Sequence, residues 1–349
     1  MRSQMVVEFG SPLKEVETPT PAPQGSEVLI KTGHVGVCHS DVHLHDGYFD
    51  LGAGKKLPAG NLTLPHTLGH EIEGEVVAVG PEAAGAKVGA HYAVFPWIGC
   101  GTCSACLRNE ENLCASPRSI GCAPGIAGGF ATHVLVPHPK YLLDYGSIDP
   151  ALAASYMCSG LTAFGAMKKV GKPGVSDEIV VLGCGGLGMM GIQFAKSLFG
   201  KAPIAADIDD GRLEAAKKAG AKAAYKSNDP AARKKLVSDT GGAYAVVDFV
   251  GSEASFAFAN GIVRKGGRMI VVGLFGGAIS ISLPLIPLRA VSILGSYVGT
   301  LSEAQEMMAI VRAGKVDPIP FSKRPLSEVD KALSELRAGK ITGRVVLTP

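Results

Sequence analysis

The stretch EIVVLGCGGLGMMGIQFAKSLFG (Glu178–Gly200) reads as a buried strand, a glycine turn and a helix in direct succession. Its first part, EIVVLG, is almost wholly apolar, as a parallel strand covered on both faces should be. Gly183, Gly185 and Gly188 then stand in G-x-G-x-x-G spacing where the helix begins. Glycine serves such a turn by allowing the tight bend, the approach of backbone to a pyrophosphate, and close packing of helix on strand. The helix N-terminus adds free N–H groups and a positive dipole end for phosphate. In a chain with 46 glycines this spacing alone fits an ordinary Gly-rich turn equally well.

The next strand, PIAAD (Pro203–Asp207), ends on an acid nineteen residues past Gly188. An acid there can hydrogen-bond both ribose hydroxyls of adenosine. A 2′-phosphate would meet its negative charge, and Ile208, Asp209 and Asp210 offer no compensating cation. The expected cofactor is therefore NAD rather than NADP, with Gly183, Gly185, Gly186, Leu187, Gly188, Asp207 and Arg212 as its candidate binding residues. GRLEAAKKAG (Gly211–Gly220) is the following helix, closed by a glycine. AYAVVDFV (Ala243–Val250) and RMIVVGL (Arg268–Leu274) continue the alternation. Such alternation implies a parallel, doubly wound Rossmann sheet.

Outward from this unit the texture changes. Residues 5–150 are rich in Gly and Pro, with short alternating apolar segments such as Glu27–Lys31 and Gly74–Val79, which predicts an irregular, strand-rich domain. The run Ala151–Met167 has helical spacing and marks the junction. After about residue 295 the texture is mixed again, and TGRVVLTP (Thr342–Pro349) is predicted to be a strand that rejoins the first domain. The reading is an α/β chain with a catalytic domain from 1–152 and 291–349 and an NAD-binding domain from 153–290.

Composition excludes several classes. With 46% hydrophobic and 19% charged residues the chain is not disordered. A formal charge of +3, with no basic run interleaved with aromatics, gives no reason to expect nucleic acid. Glu8 and Lys14 precede any apolar run long enough for a signal peptide. The most apolar later stretch, Ile279–Gly299, is broken by Pro284, Pro287 and Arg289, so buried strands are expected there and not a membrane span. Eight cysteines without a secretory signal point to thiolate chemistry and a cytoplasmic setting rather than disulfides.

Cys100, Cys103, Cys106 and Cys114 follow C-x2-C-x2-C-x7-C spacing. Four thiolates so close can close a tetrahedral shell around one zinc, and a closed shell cannot take substrate. This zinc is expected to be structural. A second set is dispersed: Cys38 in VCHSDVH, His70 and Glu71 in LGHE, and Cys158 at the domain junction. Cys38, His70 and Cys158 would give Cys2His ligation with a fourth position open, as in catalytic zinc sites. Local spacing does not establish that these three meet, and each taken singly suits ordinary packing.

Taken in order, GVCHSDVH (Gly36–His43), GHEIEGEVVAVG (Gly69–Gly80), the four-cysteine lobe, CSGLTAFGA (Cys158–Ala166), VLGCGGLG and the final GRVV resemble the zinc-containing medium-chain alcohol dehydrogenases across essentially the whole chain. The subgroup is similar to microbial tetrameric enzymes. The resemblance implies a GroES-like catalytic domain and two zinc ions per chain. Cys38, His70 and Cys158 would be the catalytic ligands, and Glu71 the acid that approaches the metal transiently. Asp41 would orient the ligating histidine, Ser40 would accept the alcohol proton, and His43 would pass it to solvent. Arg344, helped by His39, would hold the pyrophosphate. Trp97, Phe49, Leu274 and Tyr297 would wall the substrate pocket, although Trp97 also suits a core aromatic. A homotetramer or homodimer is implied, and an alcohol or aldehyde as substrate.

The remaining residues have plainer readings. Cys122 and Cys184 are expected as small packing residues. His34, His45, His66, His91, His133 and His138 are expected to be structural, with His66 nearest to His70 in sequence. Asp46 and Arg108–Glu111 are expected on solvated surface. A zinc-free quinone or enone reductase would lack the cysteine lobe, and a vestigial nucleotide sensor would not need complete ligands and relay. The expected reaction is reversible hydride transfer between NAD and a primary or secondary alcohol, with aromatic or medium-chain primary alcohols favoured by an apolar pocket.

Overall fold

The computed structural model of the chain describes residues 1–59, 62–122 and 126–349. The glycine-turn segment lies at the centre of a six-stranded sheet. Ile179–Leu182 is flanked by Ile204–Asp207 and Ala223–Lys226 on one side, and by Ala243–Asp248, Val263–Val271 and Ser292–Gly295 on the other. Every pairing in it is parallel. The order reverses direction at Ile179–Leu182, so a crevice opens beyond the carboxyl ends of the strands, where this architecture binds ligands. Helix Gly186–Phe199 starts directly on the turn. A Cβ on Gly188 would sit 1.9 Å from the Gly183 carbonyl oxygen, so only glycine allows that approach of helix to strand.

Three differences from the sequence reading stand out. Ala223–Lys226 and helix Pro230–Thr240 complete the alternation between segments that sequence had already indicated. The last parallel strand, Ser292–Gly295, lies beyond the expected boundary at residue 290. Ile279–Gly299 does not form buried strands. It holds a short helix, Leu285–Arg289, and that one edge strand, with Leu283 74% and Leu288 68% exposed. Pro284 and Pro287 withhold the N–H groups a longer strand would need.

The other half is antiparallel except for one parallel pair, Phe321–Pro325 on Arg344–Thr348. Val28–Gly36 runs through its middle and pairs with Glu71–Val79, with His133–Val136 and with Arg344–Thr348. The C-terminal strand therefore does rejoin the first domain, Val346 facing Gly36. One apolar cluster spans both halves, running from Val28, Ile30 and Ile72 through Tyr156, Leu161 and Phe164 to Val181 and Phe194. Helix Leu161–Lys168, buried over nearly its whole length, is the bridge. Among the described residues no helix is long and apolar enough to cross a membrane.

Candidate active site and metal centres

Strand Val28–Gly36 delivers the chain to Cys38, which precedes helix His39–Asp46. Asp41 folds back over that helix start. One carboxylate oxygen accepts the Cys38 backbone N–H at 2.8 Å, and the other accepts from Gly69 at 3.3 Å. The second oxygen also faces His70 Nδ1 at 3.2 Å. Gly69 has a φ of +92°, and a Cβ there would meet Phe130 at 2.6 Å, so glycine is what lets His70 turn inward. Cys158 comes from a widened π turn, Tyr156–Gly160, set between helices Pro150–Ser155 and Leu161–Lys168. Such turns recur at functional sites because they shift one side chain out of helical phase.

These elements bring together what sequence left apart. Ligand atoms of Cys38, His70, Glu71 and Cys158 all lie within 4.8 Å of one another, and all four residues are buried. The two sulfurs are 4.0 Å apart, close to the separation of two thiolates each about 2.3 Å from one zinc. His70 Nε2 is buried with no hydrogen-bond partner. A buried polar atom left so is rare, and a metal ion supplies the missing partner. The donor set fits zinc. The Cys158 thiol donates to Cys38, and His70 and Arg344 add positive charge, so the Cys38 thiol is held well below its ordinary pKa. Glu71 accepts from the Ser159 N–H at 3.2 Å and pairs with the Arg344 guanidinium. Burial pushes its carboxyl up, and Arg344 offsets part of that.

Ser40 and His43 lie three residues apart on one helix, hence on one face, and both are half-buried. His43 packs on Phe49, with ring centroids 4.9 Å apart. Burial lowers its pKa below that of a free imidazole, with Arg337 adding to the effect. His39 is exposed at the helix start. Asp207 is buried at the end of its strand, where it accepts the Cys184 N–H at 2.6 Å and the Asp209 N–H at 3.0 Å. It thereby pins the glycine turn. Arg212 donates to the Gly339 carbonyl across the cleft at 2.6 Å. Arg344 touches both sides: its Cδ would lie 2.5 Å from a Cβ on Gly186.

Trp97 is 4% exposed, donates from Nε1 to the Met157 carbonyl at 3.0 Å, and stands 5.5 Å from the His70 ring. Tyr297 meets it edge-on at 6.0 Å. Leu274 sits on the exposed loop after strand Val263–Val271, and that loop's Gly276 packs against Asp50, beside Phe49. Cys122 packs against the core as expected, and its thiol also lies beside His70 and near Tyr297. Nothing in its local sequence signals that position. Asp46 is not merely solvated, because it pairs with Arg337 at 2.6 Å. A polar cluster was also missed: buried Glu73 accepts from Tyr145 at 2.8 Å and contacts His34 at 2.7 Å and His91 at 2.9 Å. Cross-strand pairing of the strands bearing these histidines was its only signal.

The second centre is local and near the surface. Cys100, Cys103, Cys106 and Cys114 place their sulfurs within 4.8 Å of one another. Cys114 Sγ accepts N–H bonds from Cys100 at 3.2 Å and Ser116 at 3.3 Å. The Thr102 hydroxyl and nearby backbone N–H groups pull the Cys100 thiol down to about 5. Four convergent sulfurs suit one zinc in a closed shell.

Comparison with known proteins matches each half separately. Residues 24–145 match the alcohol dehydrogenase GroES-like domain, and residues 186–313 match the zinc-binding dehydrogenase domain. Fold and site thus define a two-domain zinc-binding dehydrogenase. The chain is 40% identical to an NAD-dependent alcohol dehydrogenase of Sulfurisphaera tokodaii and 38% identical to one of Saccharolobus solfataricus, with all of both chains covered in each case. The solved alcohol dehydrogenase of Aeropyrum pernix superposes with a TM-score of 0.89 at 28% identity, again over 100% of both chains. The chain belongs to the zinc-containing medium-chain alcohol dehydrogenase family.

Proposed function

We propose that this chain, a zinc-dependent NAD-linked alcohol dehydrogenase, carries out its chemistry at the Cys38–His70–Cys158 cluster beneath the glycine turn. The observation that carries this reading is the buried set of two cysteines and an unpartnered histidine within 4.8 Å, with Glu71 alongside. Bound there, zinc supplies a Lewis acid that lowers the pKa of an alcohol hydroxyl, and NAD supplies the hydride acceptor. The protein's own residues do the rest. Ser40 takes the hydroxyl proton and His43 passes it outward. Asp41 keeps His70 turned to the cluster. The turn Gly183–Gly188 and Arg344 cradle the pyrophosphate, and Asp207 meets the adenosine ribose. Trp97, Tyr297, Phe49 and Leu274 form an apolar wall that favours aromatic or medium-chain primary alcohols over small polar ones.

The working assembly is at least a homodimer, and a homotetramer fits the same surface. Ser292–Gly295 is the edge of the parallel sheet, with no outer neighbour among the described residues. Leu283 and Leu288, in the segment leading into that strand, are 74% and 68% exposed. A second copy would cover an edge that soluble proteins seldom leave bare. Unpaired thiols at both centres suit the reducing cytoplasm.

The test is NADH absorbance with a panel of alcohols and carbonyls, run with NAD and with NADP. Turnover with NAD should dominate, and Asp207→Gly should weaken NAD while improving NADP. Equal use of both cofactors by the unaltered enzyme would remove Asp207 from this role.

A further inference from the structure

The four-cysteine lobe is joined to the substrate pocket at three points. Its two arms are zipped at the root: Ile120 N–H donates to the Pro96 carbonyl at 3.0 Å, and Arg118 N–H to Ile98 at 2.8 Å. The ingoing arm carries Trp97 and the outgoing arm leads to Cys122, so both strands of the neck end at the pocket. The third point is the tip. The short 3-10 turn Glu111–Leu113, just before Cys114, reaches the segment that returns from the parallel sheet. Asn112 Nδ2 donates to the Tyr297 carbonyl at 2.9 Å, and Glu111 accepts the Leu301 N–H at 2.9 Å. Among the described residues these are the only side-chain hydrogen bonds between lobe and that segment. Apart from these bonds and the Trp97–Tyr297 ring contact, a cleft of about 280 Å³ that includes Gly99, Cys106 and Gln305 opens between the two.

We propose that Glu111 and Asn112 are positioning residues, through which the four-cysteine lobe sets the Trp97–Tyr297 wall and hence substrate selectivity. The lobe's sulfurs fix where Cys114 lies, and Cys114 fixes the turn two residues before it. Gly99 is held tightly in the same unit, since a Cβ there would meet Cys106 Sγ at 2.4 Å and Glu111 at 3.0 Å. A shift of the tip therefore moves the Tyr297 backbone, and with it the ring that packs on Trp97. Neither Glu111 nor Asn112 touches substrate.

This inference rests on the alcohol dehydrogenase reading above, but Trp97 is the only tryptophan and reports on the wall without turnover. Asn112→Asp removes the donor at constant size, Asn112→Ala removes the contact, and Glu111→Gln keeps the acceptor and serves as the conservative control. Both Asn112 variants should retain two zincs per chain, shift Trp97 emission, and change the ratio of kcat/KM for a bulky aromatic against a small aliphatic alcohol. The change should be about 3- to 10-fold, the range a neutral hydrogen bond spans, and should fall on KM rather than kcat. Glu111→Gln should resemble the unaltered enzyme. Unchanged emission and an unchanged ratio in Asn112→Asp with both zincs present would overturn the proposal. If no alcohol is oxidised by any form, the functional reading fails, and the emission shift still decides the tether.

Discussion

The two metal centres use similar donors and are built in opposite ways. The lobe takes four sulfurs from one surface loop between Cys100 and Cys114, and its stability depends on whatever draws them together. The buried centre takes Cys38, His70, Glu71 and Cys158 from a strand end, a strand entry and a π turn, with the cysteines 120 residues apart. There the ligands ride on elements anchored in the sheet and in the buried helical core. One centre draws its ligands from a single loop, while the other draws them from separate elements of the fold.

That contrast breaks most sharply under paired substitutions. Cys38→Ser should lose about one zinc per chain and lower kcat/KM by on the order of 10³-fold, because Lewis-acid stabilisation is worth several kcal/mol. Its melting temperature should stay near that of the unaltered protein. Cys103→Ser should lose the same amount of zinc and instead melt several degrees lower, since structural zinc contributes folding energy directly. Elemental analysis with calorimetry separates the two, and equal melting temperatures in both variants would erase the distinction.

A smaller effect is expected behind the buried centre. Asp41→Asn keeps the side chain's shape but weakens the hold on Cys38 N–H and His70. Metal affinity, measured by chelator competition, should drop about 10- to 100-fold, with lobe zinc unaffected. Release of both zincs together would show that the centres are not independent.

The smallest effect concerns protons. The folded-state pKa of His43 is depressed, so the neutral, proton-accepting ring persists below the free imidazole value and is lost only as pH falls further. Alcohol oxidation should therefore keep its relay through neutrality. His43→Gln should slow oxidation by roughly 10-fold below about pH 8, retain both zincs, and respond to added amine buffer. A pH profile identical to that of the unaltered enzyme would exclude His43 from the relay.

The same contrast explains what could be read before the structure. Four cysteines at C-x2-C-x2-C-x7-C declare a closed shell by spacing alone, and Gly183–Gly188 with Asp207 declares a strand–turn–helix because local sterics demand glycine there. Cys38, His70 and Cys158 carry no such local mark; only resemblance joined them, and their convergence is a property of the antiparallel sheet and the π turn. Cys122 and the Glu73 cluster were illegible for that reason. In Ile279–Gly299 apolarity does not mean burial, because much of that surface lies at an unpartnered sheet edge. Arg344 could be placed near pyrophosphate, but its pairing with Glu71 depends on two strands meeting side by side.

Arg344–Thr348 lies between Val28–Gly36 and Phe321–Pro325, inside the sheet of the N-terminal domain. The sheet of that domain therefore takes five strands from the first 150 residues and two from residues 321–348. On that side the central strand pairs with His133–Val136 over Val28–Lys31 and with the C-terminal strand only at Val35 and Gly36, so those two positions wait for residues 344–348. The nucleotide-binding unit, contiguous in sequence through Gly295, is complete some fifty residues sooner. Arg344 comes to Glu71 from this late strand, so the ion pair beside the buried centre joins residues 273 apart in the chain.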